Sequence, residues 1–290
     1  MPDETPPAES SSPPANVPQP TPGTPVALIT GGSAGLGLVI AEVFLKNGYR
    51  VVITGRDQGR LETAAASLGE TTSLSDQLAV VSGDVNAQPD SQRVIEFACS
   101  TFGRLDVLVN CVGASDRGLI ENLQADKLNE LFQRNVITAL FCSQAAIPML
   151  SQTHGSIVNI GSLGSKVGAR YIGGYATAKH ALAGMTQQLR LELRDKNIHV
   201  GLVNPGPIRR SDENQRYRDA VSDDLPAQAS RPGGGTRVKG LPPERVANTV
   251  LTCVRKRKPD IVVPSYLRIL IAVGHAFPRL GDWLLLKFTS

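Results

Sequence analysis

From about residue 25 to residue 264, short apolar runs alternate with amphipathic stretches. Val26-Ala27-Leu28-Ile29 is the first run, and others rich in Val, Ile and Leu fall near 50–54, 78–82, 105–110, 155–160, 198–203 and 260–263. Continuously apolar segments of strand length suit a parallel sheet buried on both faces. Between them, apolar positions three and four apart predict helices at 36–47, 58–68, 90–102, 126–150, 175–195 and 243–256. Pro242-Pro243-Glu244 suits the start of the last, because proline loses nothing in a first helical turn. Strand and helix in strict alternation predict an α/β domain at 25–264, one parallel sheet with helices on both faces. No internal repeat is evident.

The pattern changes at both ends and once inside. Residues 1–24 are rich in Pro, Ser and Thr with almost no apolar content, which predicts a disordered tail without the basic start and apolar core of a secretory signal. Residues 207–240 are polar and rich in Arg, Asp, Gly and Pro, the composition of a substrate lid. Residues 265–290 turn apolar again, from Leu267 to Phe288, but Arg268, Arg279, Asp282 and Lys287 interrupt the run and Pro278 divides it. A spanning helix needs about 20 mostly apolar residues, so two short amphipathic helices are predicted instead. Three destinations stay open for them: a membrane surface, a neighbouring subunit, or the active site.

Four cysteines, Cys99, Cys111, Cys142 and Cys253, show no paired or metal-ligand spacing. Neither a disulfide framework nor a metal site is expected, and the thiols fit a reducing, cytoplasmic setting, with membrane association through 265–290 as the variant. The net charge of +4 hides an asymmetry: from Arg237 onward ten Lys/Arg face three acids, which leaves −3 for the preceding residues. Arg255-Lys256-Arg257-Lys258 is read as a solvated helix end favoured by the dipole, and no nucleic-acid partner is expected.

Candidate chemistry centres on Tyr175 and Lys179, with Ser162 thirteen residues upstream. Residues four apart share a helix face, so a phenol and an ammonium stand side by side there. A neighbouring cation stabilises phenolate, which brings the tyrosine within range of proton exchange with an alcohol or carbonyl. At the other end of the chain, the run Val26–Ile29 enters Thr30-Gly31-Gly32-Ser33-Ala34-Gly35-Leu36-Gly37 and then a helical pattern. Strand, glycine turn and helix in that order form the setting of a dinucleotide pyrophosphate site.

With these motifs in view, the chain resembles the short-chain dehydrogenase/reductase family over roughly residues 24–206, and more loosely to 264. The family's Thr-Gly-x-x-x-Gly-x-Gly falls on Thr30 to Gly37, and its Asn-Asn-Ala-Gly appears as Asn110-Cys111-Val112-Gly113 with the middle pair changed. Its catalytic set falls on Asn135, Ser162, Tyr175 and Lys179, with gaps of 27 and 13 residues from asparagine to serine and serine to tyrosine. The resemblance implies a doubly wound Rossmann-type sheet and a homodimer or homotetramer. It also implies hydride transfer between a nicotinamide and a small-molecule carbonyl/alcohol pair; separately, the apolar segment 265–290 makes that substrate lipid-like if the segment meets membrane. The implied roles are proton exchange for Tyr175, a hydrogen bond to the reacting oxygen for Ser162 and the nicotinamide ribose for Lys179. Asn135 would bend its helix and fix a water linking Lys179 to solvent. Cofactor contacts are implied at Thr30, Gly31, Ser33, Gly35, Leu36, Gly37, Asn110, Gly113, Tyr175, Lys179, Pro205 and Gly206, and at Asp84 and Val85 for adenine. Helix capping is the other reading of Asp84.

Cofactor choice turns on the end of the second strand, where NAD-preferring relatives carry an acid. Gly55 stands there, followed by Arg56, whose guanidinium suits a 2′-phosphate, so NADP is expected over NAD. Asp57 is also placed to pair with an arginine. After the sixth strand, Pro205-Gly206-Pro207-Ile208-Arg209 leads to Arg210 where the family often has threonine, with Ser211 as a substitute. Arg209 and Arg210 are read either as partners for an anionic group or as solvated loop charges. The expected activity is that of an NADP-dependent oxidoreductase. The alternatives are a silent NADP-binding sensor or scaffold of the same fold, and an epimerase or dehydratase working by transient oxidation.

Overall fold

The computed structural model describes residues 23–209, 221 and 225–289. Seven parallel strands run β1 (Val26–Thr30), β2 (Arg50–Gly55), β3 (Leu78–Ser82), β4 (Val107–Asn110), β5 (Ser156–Ile160), β6 (His199–Pro205) and β7 (Asp260–Val263). Their spatial order is β3-β2-β1-β4-β5-β6-β7, the doubly wound arrangement. The inner strands are buried on both faces, as β1 shows: Ala27 and Ile29 belong to one core layer, Val26 and Leu28 to the other; the edge strands β3 and β7 are partly exposed. The first layer is closed by α1 (Gly35–Lys46), α2 (Gln58–Thr72) and α7 (Pro243–Arg255), through Ile40, Phe44, Leu61, Val246 and Val250. The second is closed chiefly by α3 (Gln88–Phe102) and α5 (Thr138–Thr153), through Val94, Ile95, Ala98, Cys142, Ala146 and Leu150.

The chain winds outward from β1 to β3 and then crosses back to β4, so the order reverses between β1 and β4. Loops leaving the carboxyl ends of these two strands must diverge, and a crevice opens between them. The single helix predicted at 126–150 is instead α4 (Ala125–Phe132) and α5, joined by a π-helical turn at Gln133–Ile137. The wider turn arises where Asn135 spends its side chain on neighbouring backbone. The stretch Ala125–Thr153 is apolar and long enough to cross a membrane by length and composition. Here its α5 half lies against the sheet and α3.

After β7 the chain forms α8 (Leu267–Ala276) and α9 (Pro278–Phe288), divided near Pro278. They form a hairpin whose helices nearly touch at Gly274 and Gly281: a Cβ on Gly281 would fall 2.8 Å from the Gly274 Cα. Of the segment 207–240, residues 210–220 and 222–224 lie outside the described residues, Arg210 and Ser211 among them, as do residues 1–22 of the N-terminal segment.

Candidate active site

A cleft of about 1670 Å³ opens at the carboxyl ends of the strands. Gly31, Gly35, Leu36, Gly37, Gly113, Asn135, Ser162, Tyr175, Lys179, Pro205 and Gly206 all line it. Thr30 and Asn110 lie buried behind its wall. The Thr30 hydroxyl accepts from the backbone N–H groups of Cys111 and Val112 at 3.0 and 3.3 Å, which ties the exit of β1 to that of β4. Asn110 Nδ2 donates to Asn159 Oδ1 at 2.8 Å, and Asn159 Nδ2 to Thr186 Oγ1 at 2.8 Å. This buried relay fixes α6 (Tyr175–Glu192), the helix that carries the tyrosine and lysine, against β4 and β5.

At the glycine loop the two ends of the motif do different work. Gly37 packs so close to the Gly31 carbonyl that a Cβ would collide with it. Gly35 has φ +55, and beyond its chain neighbours and its own helix backbone no described atom lies within 4 Å of where its Cβ would be. Its backbone therefore faces open cleft. The N-terminus of α1 has no side-chain cap and no acid in its first turn, so its N–H groups and dipole are left for an anion.

Ser33 Oγ lies 3.1 Å from the position a Cβ on Gly55 would take, and Gly55, the last residue of β2, brings no acid there. Asp57 caps α2 by accepting from the Arg60 N–H at 2.9 Å. That leaves two exposed guanidinium groups, Arg56 and Arg60, near the end of β2, and Arg60 also lines the cleft. The sequence at the end of β2 does not by itself point to Arg60; the cap at Asp57, which starts α2 at once, is the signal that places the next turn's side chains there. Asp84 lies after β3, outside the cleft wall, and its Oδ1 accepts from Asn86 N and Nδ2, both at 3.2 Å, in a local turn. Val85 is buried beside it.

The acid–base residues converge. Lys179 is buried, its Nζ donates to the Ile160 carbonyl at 2.9 Å and lies 5.8 Å from the Tyr175 ring centre. Desolvation by burial lowers its ammonium from 10.5 to about 8. Ser162 Oγ accepts from the Gly164 N–H at 3.1 Å, which leaves its hydroxyl hydrogen to donate elsewhere. Ser162 Oγ and the Tyr175 ring edge flank one point, 3.6 and 3.4 Å from where a Cβ on Gly164 would sit. Asn135 gives both amide hydrogens to backbone, to Ala114 O at 3.0 Å and Leu131 O at 2.9 Å, and Oδ1 accepts from Ala114 N at 3.2 Å. Only one Oδ1 lone pair remains for the water expected of it.

Two further parts of the wall were not foreseen. Arg117, 9% exposed, donates to the carbonyls of Ala229 and Arg231 at 2.8 and 3.3 Å and so pins part of the 207–240 segment over the cleft. The α8–α9 hairpin lines the cleft as well, anchored by His275 Nε2 to Lys166 O at 2.7 Å and, to the 207–240 segment itself, by the Arg237 N–H donating to Phe288 O at 2.9 Å.

Comparison with known proteins agrees with this geometry. The chain is 30% identical to the oxidoreductase YxnA of Bacillus subtilis over 90% of this chain and 71% of that protein. It is 31% identical to dehydrogenase/reductase SDR family member 7B of Danio rerio, over 84% and 81%. Among solved structures, L-sorbose reductase from Gluconobacter frateurii, complexed with NADPH and L-sorbose, superposes with a TM-score of 0.72 at 27% identity, covering 83% of this chain and 95% of that one. A variant actinorhodin polyketide ketoreductase with NADPH gives a TM-score of 0.70 at 25% identity. The short chain dehydrogenase profile matches residues 25–222. On this match and this fold, the chain belongs to the short-chain dehydrogenase family of oxidoreductases.

Proposed function

We propose that the protein interconverts a carbonyl and an alcohol with NADPH as hydride donor, and that Tyr175 exchanges the proton. The observation that carries the reading is the convergence of Tyr175, Ser162 and the buried Lys179 on one cleft with the open glycine loop. The cradle at Gly35 and the uncapped start of α1 suit a pyrophosphate, and Ser33, Arg56 and Arg60 around the glycine that ends β2, with Asp57 engaged in capping α2, suit a 2′-phosphate. The NADPH held by the sorbose reductase and the ketoreductase supports the same choice. Gly31, Leu36, Gly37, Gly113, Pro205 and Gly206 shape the remaining cofactor wall, Thr30 and Asn110 support it from behind, and Asp84 and Val85, which do not line the cleft, are assigned to the adenine end.

When bound, NADPH supplies the hydride. Tyr175 Oη delivers a proton to the carbonyl oxygen as it becomes an alcohol, and the Ser162 hydroxyl donates a hydrogen bond to the same atom. Lys179, cationic below about pH 8, favours the phenolate that Tyr175 leaves behind. Asn135 holds Ala114 and the π turn, which keeps the floor of the site in place.

Oxidation of NADPH and NADH against a panel of carbonyls, with wild type beside Tyr175→Phe, tests the assignment. Wild type is expected to turn over faster with NADPH. The variant should lose at least about 100-fold in kcat, the lower range for acid–base catalysis, while binding NADPH nearly as well. Loss of turnover and binding together would make Tyr175 structural. Tight NADPH binding without turnover on any carbonyl would favour a sensor.

A further inference from the structure

The α8–α9 hairpin carries an apolar stripe that belongs to no hydrophobic core cluster among the described residues. On α8, Leu267, Leu270, Ile271 and Gly274 follow the i, i+3, i+4, i+7 spacing of one helix face, and on α9 Gly281, Leu284, Leu285 and Phe288 repeat it. All eight line the same cleft as Tyr175 and Ser162. Only Gly281 among them is buried; Leu270 and Phe288 remain 38% and 44% exposed. An amphipathic helix in a folded domain ordinarily buries such a stripe against protein. Here the hairpin is held in position by backbone contacts at Lys166 and Arg237, so its stripe faces space by construction rather than through a loose end.

We infer that the hairpin is the binding wall for an extended apolar chain, and that the substrate is a carbonyl compound, or its alcohol, bearing an unbranched hydrocarbon tail. The inference rests on the carbonyl/alcohol reading of the site and adds the substrate's class. The tail lies along Leu267, Ile271, Leu284 and Leu285 while the oxygen points to Ser162 and Tyr175. The outward face of the hairpin, with Ile269, Phe277, Leu280, Trp283 and Leu286, takes no part in this contact.

Calorimetric titration of the NADPH-loaded Tyr175→Phe variant with n-alkanols from C4 to C10 reads binding without turnover. Each methylene buried at full value strengthens binding about four-fold, so Kd is expected to fall two- to four-fold per carbon until the wall is filled. Ile271→Asn and Leu284→Asn, each in the same background, should flatten that slope, whereas Trp283→Gln on the outward face should leave it unchanged. In parallel, kcat/KM of wild type for 2-alkanones should climb with chain length. A Kd independent of chain length, or a slope untouched by both inner-face variants, would overturn the inference. Turnover of 2-butanone with no chain-length dependence would do so while sparing the carbonyl reading. Chain-length-dependent binding with no turnover of any ketone would sink the carbonyl reading instead and leave an apolar-chain site.

Discussion

Replacing Lys179 by Met is expected to make stability depend on pH in a way that isolates the cost of burying one charge. In the folded chain, burial lowers the ammonium from 10.5 to about 8. Each tenfold change in proton affinity is about 1.4 kcal/mol, so holding the charged form inside costs the fold about 3 kcal/mol. Below pH 8 both folded and unfolded chains carry the proton and the full cost is present. Between pH 8 and 10.5 the unfolded chain keeps the proton that the folded chain has released, so raising the pH favours the folded state. Wild type should therefore gain on Lys179→Met by about 1.4 kcal/mol per pH unit over that window. Methionine also leaves the Ile160 carbonyl without its donor, but that loss is the same at every pH and cancels from the slope. Urea unfolding of both proteins at pH 7, 8, 9 and 10 gives the comparison. Parallel stability curves would refute the reasoning, because a lysine that titrates alike in both states contributes no slope.

Two other substitutions test neighbouring physics. Burial, aided by the charges of Arg257 and Arg190, lowers His199 from 6.5 to about 4, so the folded chain holds it neutral where the unfolded chain protonates it. Stability should fall as pH drops from 6.5 to 4, by at most about 3 kcal/mol, and His199→Asn should remove that part of the acid sensitivity in a urea-unfolding series. Ala34→Asp supplies the missing cap of α1 and should raise thermal stability by about 1 kcal/mol. The same carboxylate occupies the N–H groups proposed to hold the pyrophosphate, so calorimetry should show at least ten-fold weaker NADPH binding. Unchanged affinity would remove the α1 terminus from the cofactor site.

The seven strands were legible because each is a continuous apolar run bounded by turn residues, and their observed limits lie within about two residues of the expected ones. Pattern also located Tyr175 and Lys179, since four-residue spacing on a helix fixes a shared face whatever the tertiary structure. The break at Gln133–Ile137 was not legible as a π turn, because the apolar spacing continues across it while Asn135 diverts its side chain to Ala114 and Leu131. Arg60 escaped notice for a related reason. Its place near the β2 end depends on Asp57 starting α2 at once, and a cap is a property of φ and ψ as much as of sequence. The hairpin shows the limit most plainly: periodicity in 267–288 says which side chains share a face, but the surface that this face meets is settled only by where β7 leaves the chain.

Three features of this fold each work against its stability: a lysine buried without a carboxylate among its hydrogen-bond partners, a helix begun without a side-chain cap, and an apolar stripe left partly exposed. Any of them could be relieved by one ordinary substitution, Met at 179, Asp at 34 or Asn at 271. Scattered over a surface, they would signify little. All three lie on the wall of one cleft. Local choices that disagree with folding tend to collect where a second requirement acts, and here each has a distinct partner: a reacting oxygen's proton, a pyrophosphate and a hydrocarbon chain.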